Sequence, residues 1–213
     1  MPTPSGILEN LTAIANQAVA LAVVWHVLAG GVIAGVLLGW RPSARLAAVL
    51  MAAPALTVSV LAFAYGNLFN GAAFAVLVSL LLALASRAGA GRVPGGAGWA
   101  PWVGAALVAY ALVYPHFLDS HSAAFYLVAA PVGLLPCPTL SLMIGFTLLA
   151  GEGLADGWRT TLFAFGVFYA LFGIVRLGVW LDAGLLIGAV TLVVVRFSQH
   201  DARLDHAVRF RRA

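Results

Sequence analysis

Seven apolar stretches, each close to the length that crosses a bilayer, succeed one another along this 213-residue chain. They fall at about residues 14–39, 46–64, 70–86, 100–117, 131–150, 160–176 and 179–196, with short breaks rich in arginine, glycine, proline or histidine between them. A hydrocarbon core about 30 Å thick takes about 20 helical residues. Lipid offers no hydrogen bonds to a bare backbone, so apolar stretches of this length are helices. The pattern predicts an all-α integral membrane protein, a bundle of seven transmembrane helices. The third and sixth stretches are short, which tilt or local bilayer thinning absorbs. With 63% hydrophobic and 8% charged residues, the chain has too few polar side chains to clothe a soluble globule.

Charge sets the expected threading. All 11 basic residues are arginine. With the N-terminus extracytoplasmic and the C-terminus cytoplasmic, Arg41, Arg45, Arg87, Arg92, Arg159, Arg196, Arg203, Arg209, Arg211 and Arg212 share the cytoplasmic side, and Arg176 alone lies outside. The opposite threading would invert the positive-inside rule. The chain divides into one transmembrane helical domain, 1–196, and a basic cytoplasmic tail, 197–213. The tail reads as a topology anchor against anionic lipid, so the net charge of +4 implies a lipid-bilayer partner and no nucleic acid. The opening "MPTPSGILENL" has no basic n-region and does not look like a cleaved signal peptide.

Small residues mark expected helix contacts. Gly31, Gly35 and Gly39 recur every four residues in the first stretch, and Gly184 and Gly188 repeat the spacing in the seventh. Such residues let helix backbones approach closely in lipid, and the first set is a candidate face for homo-oligomers. "AGAGRVPGGAG" is a flexible loop and not a phosphate cradle, because no strand precedes it and no Lys-Ser/Thr follows.

With this threading the polar residues gather on one side. Asn67, Asn70, His116, Asp119, His121 and Asp182 fall at extracytoplasmic span ends, and Cys137, the only cysteine, lies about 10 Å below the same surface at 1.5 Å per helical residue. Cys137 stands between Pro136 and Pro138, which lack N–H groups and would break the fifth helix, freeing carbonyls for a polar cavity with the Thr139 and Ser141 hydroxyls close by. The alternative is a kinked helix in which Cys137 packs as a small apolar group. His26, in mid-span, is an ionisable group where ionisable groups are rare. His116, Asp119, His121 and Cys137 carry ligand types suited to zinc or copper, although only His116 and Asp119 share a helical face. Asp119 is equally a helix cap for the short surface segment that follows. Arg176 and Asp182 flank the last turn and are expected to form a structural ion pair.

Three elements together carry a resemblance. Asn70, Ala72 and Ala73 enter one span, with Gly71 where the pattern has proline. Pro136, Cys137, Pro138 and Thr139 enter another, and Asp182, Gly184, Leu185 and Leu186 enter the last. In these the chain resembles a family of small bacterial multi-pass membrane proteins carrying a domain of unknown function, over roughly residues 60 to 195. The resemblance implies a fold and a bacterial cytoplasmic (inner) membrane, and implies no reaction. The expected function is therefore that of a small binding or transport-related protein with an extracytoplasmic pocket, handling a soft metal ion or metal cofactor in its sharpest form. The alternatives are an intramembrane enzyme acting on a lipid or isoprenoid through Cys137 or His26, and a structural or assembly subunit.

Overall fold

The computed structural model describes residues 3–89, 91–96, 98–119, 122–151, 154 and 156–210. Among the described residues the chain is helical throughout, with no strand and one isolated bridge between Ser43 and Arg92. The α-helices among these residues are, in order, α1 Pro4–Gln17, α2 Val19–Leu37, α3 Ala44–Ala64, α4 Leu68–Arg87, α5 Ala100–Val113, α6 Ala123–Ala129, α7 Pro136–Ala150, α8 Asp156–Leu171 and α9 Ala183–Phe210. A π-helical turn, Phe172–Arg176, and a 3-10 turn, Trp180–Asp182, connect α8 to α9. Among the described residues, five helical segments are long and apolar enough to cross a membrane: Val19–Leu37, Ala44–Ala64, Leu68–Arg87, Gly157–Arg176 and Trp180–Ser198.

Two helices are short of a full span, and they are not the two expected. Ala100–Val113 and Pro136–Ala150 are apolar helices of 14 and 15 residues, about 21 Å long at 1.5 Å per residue. Protein encloses the second. Leu140, Met143, Ile144 and Leu148 of α7 join Leu77, Leu81, Leu162, Leu185 and Leu192 in the main core.

The first apolar stretch divides. α1 is a separate helix, started by the Thr3 cap, whose Oγ1 accepts from the Gly6 N–H at 3.2 Å. It buries Leu11, Ile14 and Ala15 and ends at Ala18, where the backbone leaves helical geometry. Polar bonds tie it down: Asn10 Nδ2 donates to the Tyr65 carbonyl at 2.9 Å, and Asn16 Nδ2 donates to the Phe117 carbonyl at 2.9 Å.

Lipid gives helices no hydrophobic reason to associate, so close backbone approach and polar bonds hold such a bundle together. α3 packs chiefly on α4, α5 on α7, and α8 on α9. Gly104 and Gly145 face each other where α5 crosses α7: a Cβ on Gly104 would lie 2.7 Å from the Gly145 carbonyl oxygen, and one on Gly145 would lie 2.8 Å from that of Gly104. Gly184 and Gly188 of α9 lie against Tyr110 and Leu107 of α5, as their spacing suggests. The glycines of the first stretch do not pack in this way. A Cβ on Gly31 or Gly39 meets nothing within 4 Å, Gly39 ends the helix with φ of 94°, and Gly35 touches only Trp40 of its own chain. α2 lies at the periphery, which is why these small residues have no neighbour here.

The two prolines begin a helix and do not break one. Pro136 and Pro138 occupy the first turn of α7, where an N–H would have no intrahelical acceptor in any case. The broken segment lies just before them. Residues 130–135 form a buried turn, and Gly133 with φ of 74° sits flush against the Trp25 indole. Its N–H donates to Thr139 Oγ1 at 2.8 Å and its carbonyl accepts from Thr57 Oγ1 at 2.6 Å. Irregular backbone at this depth is thus satisfied by protein hydroxyls.

A polar pocket beneath the N-terminal helix

The starts of α4, α7 and α9 and the ends of α5 and α8 meet at one end of the bundle. Side chains join them there. Tyr169 Oη of α8 donates to Asn70 Oδ1 of α4 at 3.1 Å. Tyr114 Oη, just beyond α5, donates to Asp182 Oδ1 at 2.7 Å, and Cys137 Sγ, in the first turn of α7, donates to Asp182 Oδ2 at 3.2 Å. Asp182 is 2% exposed. A carboxylate so far from water is costly unless donors meet it, and here both oxygens have one.

The local backbone explains why Asp182 points inward. α8 widens into the π-helical turn Phe172–Arg176, a deviation that often accompanies functional sites. The Val179 N–H closes this turn on the Gly173 carbonyl at 2.9 Å. The Asp182 carboxylate packs directly against Gly173, where a Cβ would overlap it. Tyr110 Oη donates to the Leu181 carbonyl and anchors the same turn to α5.

A cavity of about 30 Å³ adjoins this cluster, with Asn70, Pro136, Cys137, Pro138, Tyr169 and Asp182 among its walls. That is room for a water-sized polar molecule. Ile7 and Leu11 of α1 and Phe172 and Val179 supply apolar walls. The remaining sequence candidates lie elsewhere. His26 has Nδ1 at 2.8 Å from the Ala22 carbonyl and Nε2 at 2.9 Å from that of Leu112, so its ring ties α2 to the end of α5. Asn67 caps α4, accepting from the Asn70 N–H at 3.1 Å, and its Nδ2 donates to Asn10 Oδ1 at 3.2 Å. Thr139 serves Gly133, as described above. Ser141 is buried, and its Oγ has no hydrogen-bond partner among the described residues.

The metal expectation meets a different geometry. Among the described residues no three His, Cys, Asp or Glu side chains form a group that could hold a metal ion. His116 lies in the loop beyond α5, its ring 4.2 Å from that of Phe117, and partial burial lowers its pKa below the ordinary value. The Asp119 N–H donates to Asn16 Oδ1 at 3.0 Å, and the N-cap of α6 is Ser122 and not Asp119. His121 lies outside the described residues. The Arg176–Asp182 ion pair is also replaced. Tyr114 and Cys137 take both carboxylate oxygens, and Arg176 is exposed in the π-helical turn.

Tyr114, Tyr169, Gly173 and the α1 residues Ile7 and Leu11 are the members of the site that sequence reasoning missed. The signal that could have found the two tyrosines is their placement near the same span ends as Asn70 and Asp182.

Five long apolar helices make this a helical multi-pass membrane protein, and the Cys137–Asp182–Tyr114 cluster gives it a polar pocket at one end. No family model, curated protein or solved structure matches the chain.

Proposed function

We propose that the protein spans a bacterial cytoplasmic membrane seven times, with its N-terminus outside, and binds a small ligand in the pocket that Cys137, Asp182 and Asn70 line. The two shorter apolar helices add to the five long ones to make seven. Arg41, Arg45, Arg87, Arg92 and Arg159 sit near or beyond the helix ends opposite the pocket, and Arg196 lies at the far end of the span Trp180–Ser198. That asymmetry supports a cytoplasmic position for the arginine end and an extracytoplasmic one for the pocket. The likeness to the family with the Pro-Cys-Pro-Thr element is kept as part of this proposal.

One observation carries the binding reading. A buried carboxylate with a thiol and a phenol as its donors adjoins a cavity walled by apolar side chains, the combination of apolar walls and few convergent polar groups that ligand sites share. The test is labelling of Cys137 in intact spheroplasts with a small, charged methanethiosulfonate added from outside. Labelling of the native protein, absent from Cys137→Ala, supports an outward pocket. A thiol that reacts only after denaturation makes Cys137 a packing residue and removes the binding reading.

A further inference from the structure

We infer that His26 is held as a doubly protonated imidazolium, and that it is a proton-dependent latch fixing the peripheral helix α2 to the C-terminal end of α5. The inference uses no residue of the Cys137 pocket and stands apart from the binding reading. Nδ1 lies 2.8 Å from the Ala22 carbonyl and Nε2 lies 2.9 Å from the Leu112 carbonyl. A carbonyl oxygen can only accept, so each nitrogen makes its bond with a proton of its own. Neutral imidazole carries one N–H, and imidazolium carries two. The pair of distances is therefore the geometry of the cation.

The end of α5 suits that cation. Leu112 lies in the last turn of α5, and among the described residues no backbone N–H reaches its carbonyl. The Tyr114 N–H goes to Ala111 and the His116 N–H to Tyr114, while Pro115 has none. A carbonyl orphaned at membrane depth needs a donor, and the aligned peptide dipoles put partial negative charge at this end of the helix. His26 supplies both the donor and the positive charge. The titratable groups of the surrounding elements are engaged elsewhere. Tyr110 and Tyr114 donate to the Leu181 carbonyl and to Asp182, and the His116 ring rests on Phe117. Tyr126 of α6 donates to the Leu118 carbonyl, Cys137 of α7 donates to Asp182, and Glu9 of α1 and Asp119 are exposed. Among the described residues the hydrogen-bond partners of the ring are carbonyl oxygens alone.

The latch matters because little else holds α2. Of its span 11% is buried, against 39% or more in the other four long spans, and a Cβ on Gly30 or Gly31 meets nothing within 4 Å. Loss of one ring proton turns a bare nitrogen toward an oxygen at hydrogen-bond distance. That breaks the bridge to α5 or swings the ring away from Ala22. The tie is present while the ring is protonated and is lost as pH rises. Trp25, the preceding residue, packs on Gly133 in the buried turn before α7, so release of α2 also uncovers that turn.

The full-length chain carrying His116→Gln, His121→Gln, His200→Gln and His206→Gln keeps His26 as its only histidine, and is labelled with ring nitrogen-15 and read by NMR in detergent. At neutral pH both ring nitrogens should show the shifts of a protonated imidazolium, and one should lose its proton in alkaline buffer. One protonated and one bare nitrogen at neutral pH overturns the inference. The latch is read in a chain carrying Cys137→Ser, Leu37→Cys and Trp102→Cys, spin-labelled at these two exposed positions of α2 and α5. The distance between labels should be narrowly distributed at neutral pH, lose that narrow distribution in alkaline buffer, and lack it at either pH once His26→Phe is added. A distribution that pH does not change, or one that changes alike with and without His26→Phe, overturns the latch. Where His26→Phe does not fold, the ring-nitrogen spectrum and the pH response of the parent chain decide.

Discussion

Gly173 touches the carboxylate of Asp182, and no side chain fits between them. The π-helical turn brings the α8 backbone against the start of α9 at this point, so the residue that donates the smallest volume sets where the acid sits. Gly173→Ala should therefore push Asp182 away from Cys137 and Tyr114. Overpacking of this kind costs about 1–3 kcal/mol. A lowered Tm in detergent together with faster alkylation of Cys137 is the expected result, and an unchanged Tm counts against the tight contact.

Tyr114→Phe removes one donor from a carboxylate that is 2% exposed. An unsatisfied buried group of this sort costs about 1–3 kcal/mol, and more where it carries charge. Tyr110→Phe removes a bond to the neutral Leu181 carbonyl and should cost less. Unfolding of the two variants in mixed micelles gives the comparison, and equal losses would mean that the Asp182 bond has no special weight.

Much of this site was legible because hydropathy and charge counting reduce the problem to which span ends share a side. Asn70, Cys137 and Asp182 are far apart in sequence, yet the alternation of apolar stretches alone puts all three toward one side. The division at Ala18 was not legible, since "IANQAVALAVV" contains no proline or glycine and its polar residues look like a span end. The role of the prolines is not legible for a related reason. Proline opposes a helix interior and suits a helix start equally well, and only the buried turn at Gly133, supported by Thr57 of α3 and Thr139 of α7 itself, decides between them. Charge pairing by sequence proximity favours Arg176 for Asp182, whereas the fold offers the donors Tyr114, at the end of α5, and Cys137 of α7.

The two glycine sets should respond oppositely. Gly145→Leu forces a side chain into the backbone of α5, at a cost of about 1–3 kcal/mol or above. Gly31→Leu enters open space at the periphery, and the Tm of the detergent-solubilised chain should stay within a degree or so of wild type by the small effect expected of a surface change. If Gly31→Leu also lowers the Tm, or converts a dimer to a monomer in size-exclusion light scattering, α2 has a partner that the single chain does not contain.

Threading is checked by reporters. Fusions after Gly89 and after Ala213 should read cytoplasmic, and one after Asn67 extracytoplasmic. Reversal of any two overturns the seven-span arrangement, because it would place the arginine-bearing helix ends outside.

α1 covers the pocket through Ile7 and Leu11, held by polar bonds of Asn16 and Gln17 near its C-terminal end and of Asn10 closer to the pocket. Asn10 donates to the Tyr65 carbonyl at 2.9 Å and accepts from Asn67 at 3.2 Å. Each such bond contributes about 0.5–1.5 kcal/mol net, and local openings of this size occur without global unfolding. Asn10→Ala should thus raise the population with α1 lifted by roughly ten- to a hundredfold, at about 1.4 kcal/mol for each factor of ten. The readout is the alkylation rate of Cys137 in detergent, measured beside the Tm. A faster rate with little change in Tm identifies α1 as a movable cover, since the main core of α3, α4, α7, α8 and α9 does not contain Asn10. An unchanged rate shows that the thiol is reached by a route that α1 does not close, and a rate that rises only in proportion to a fallen Tm shows that α1 opens only when the whole bundle does.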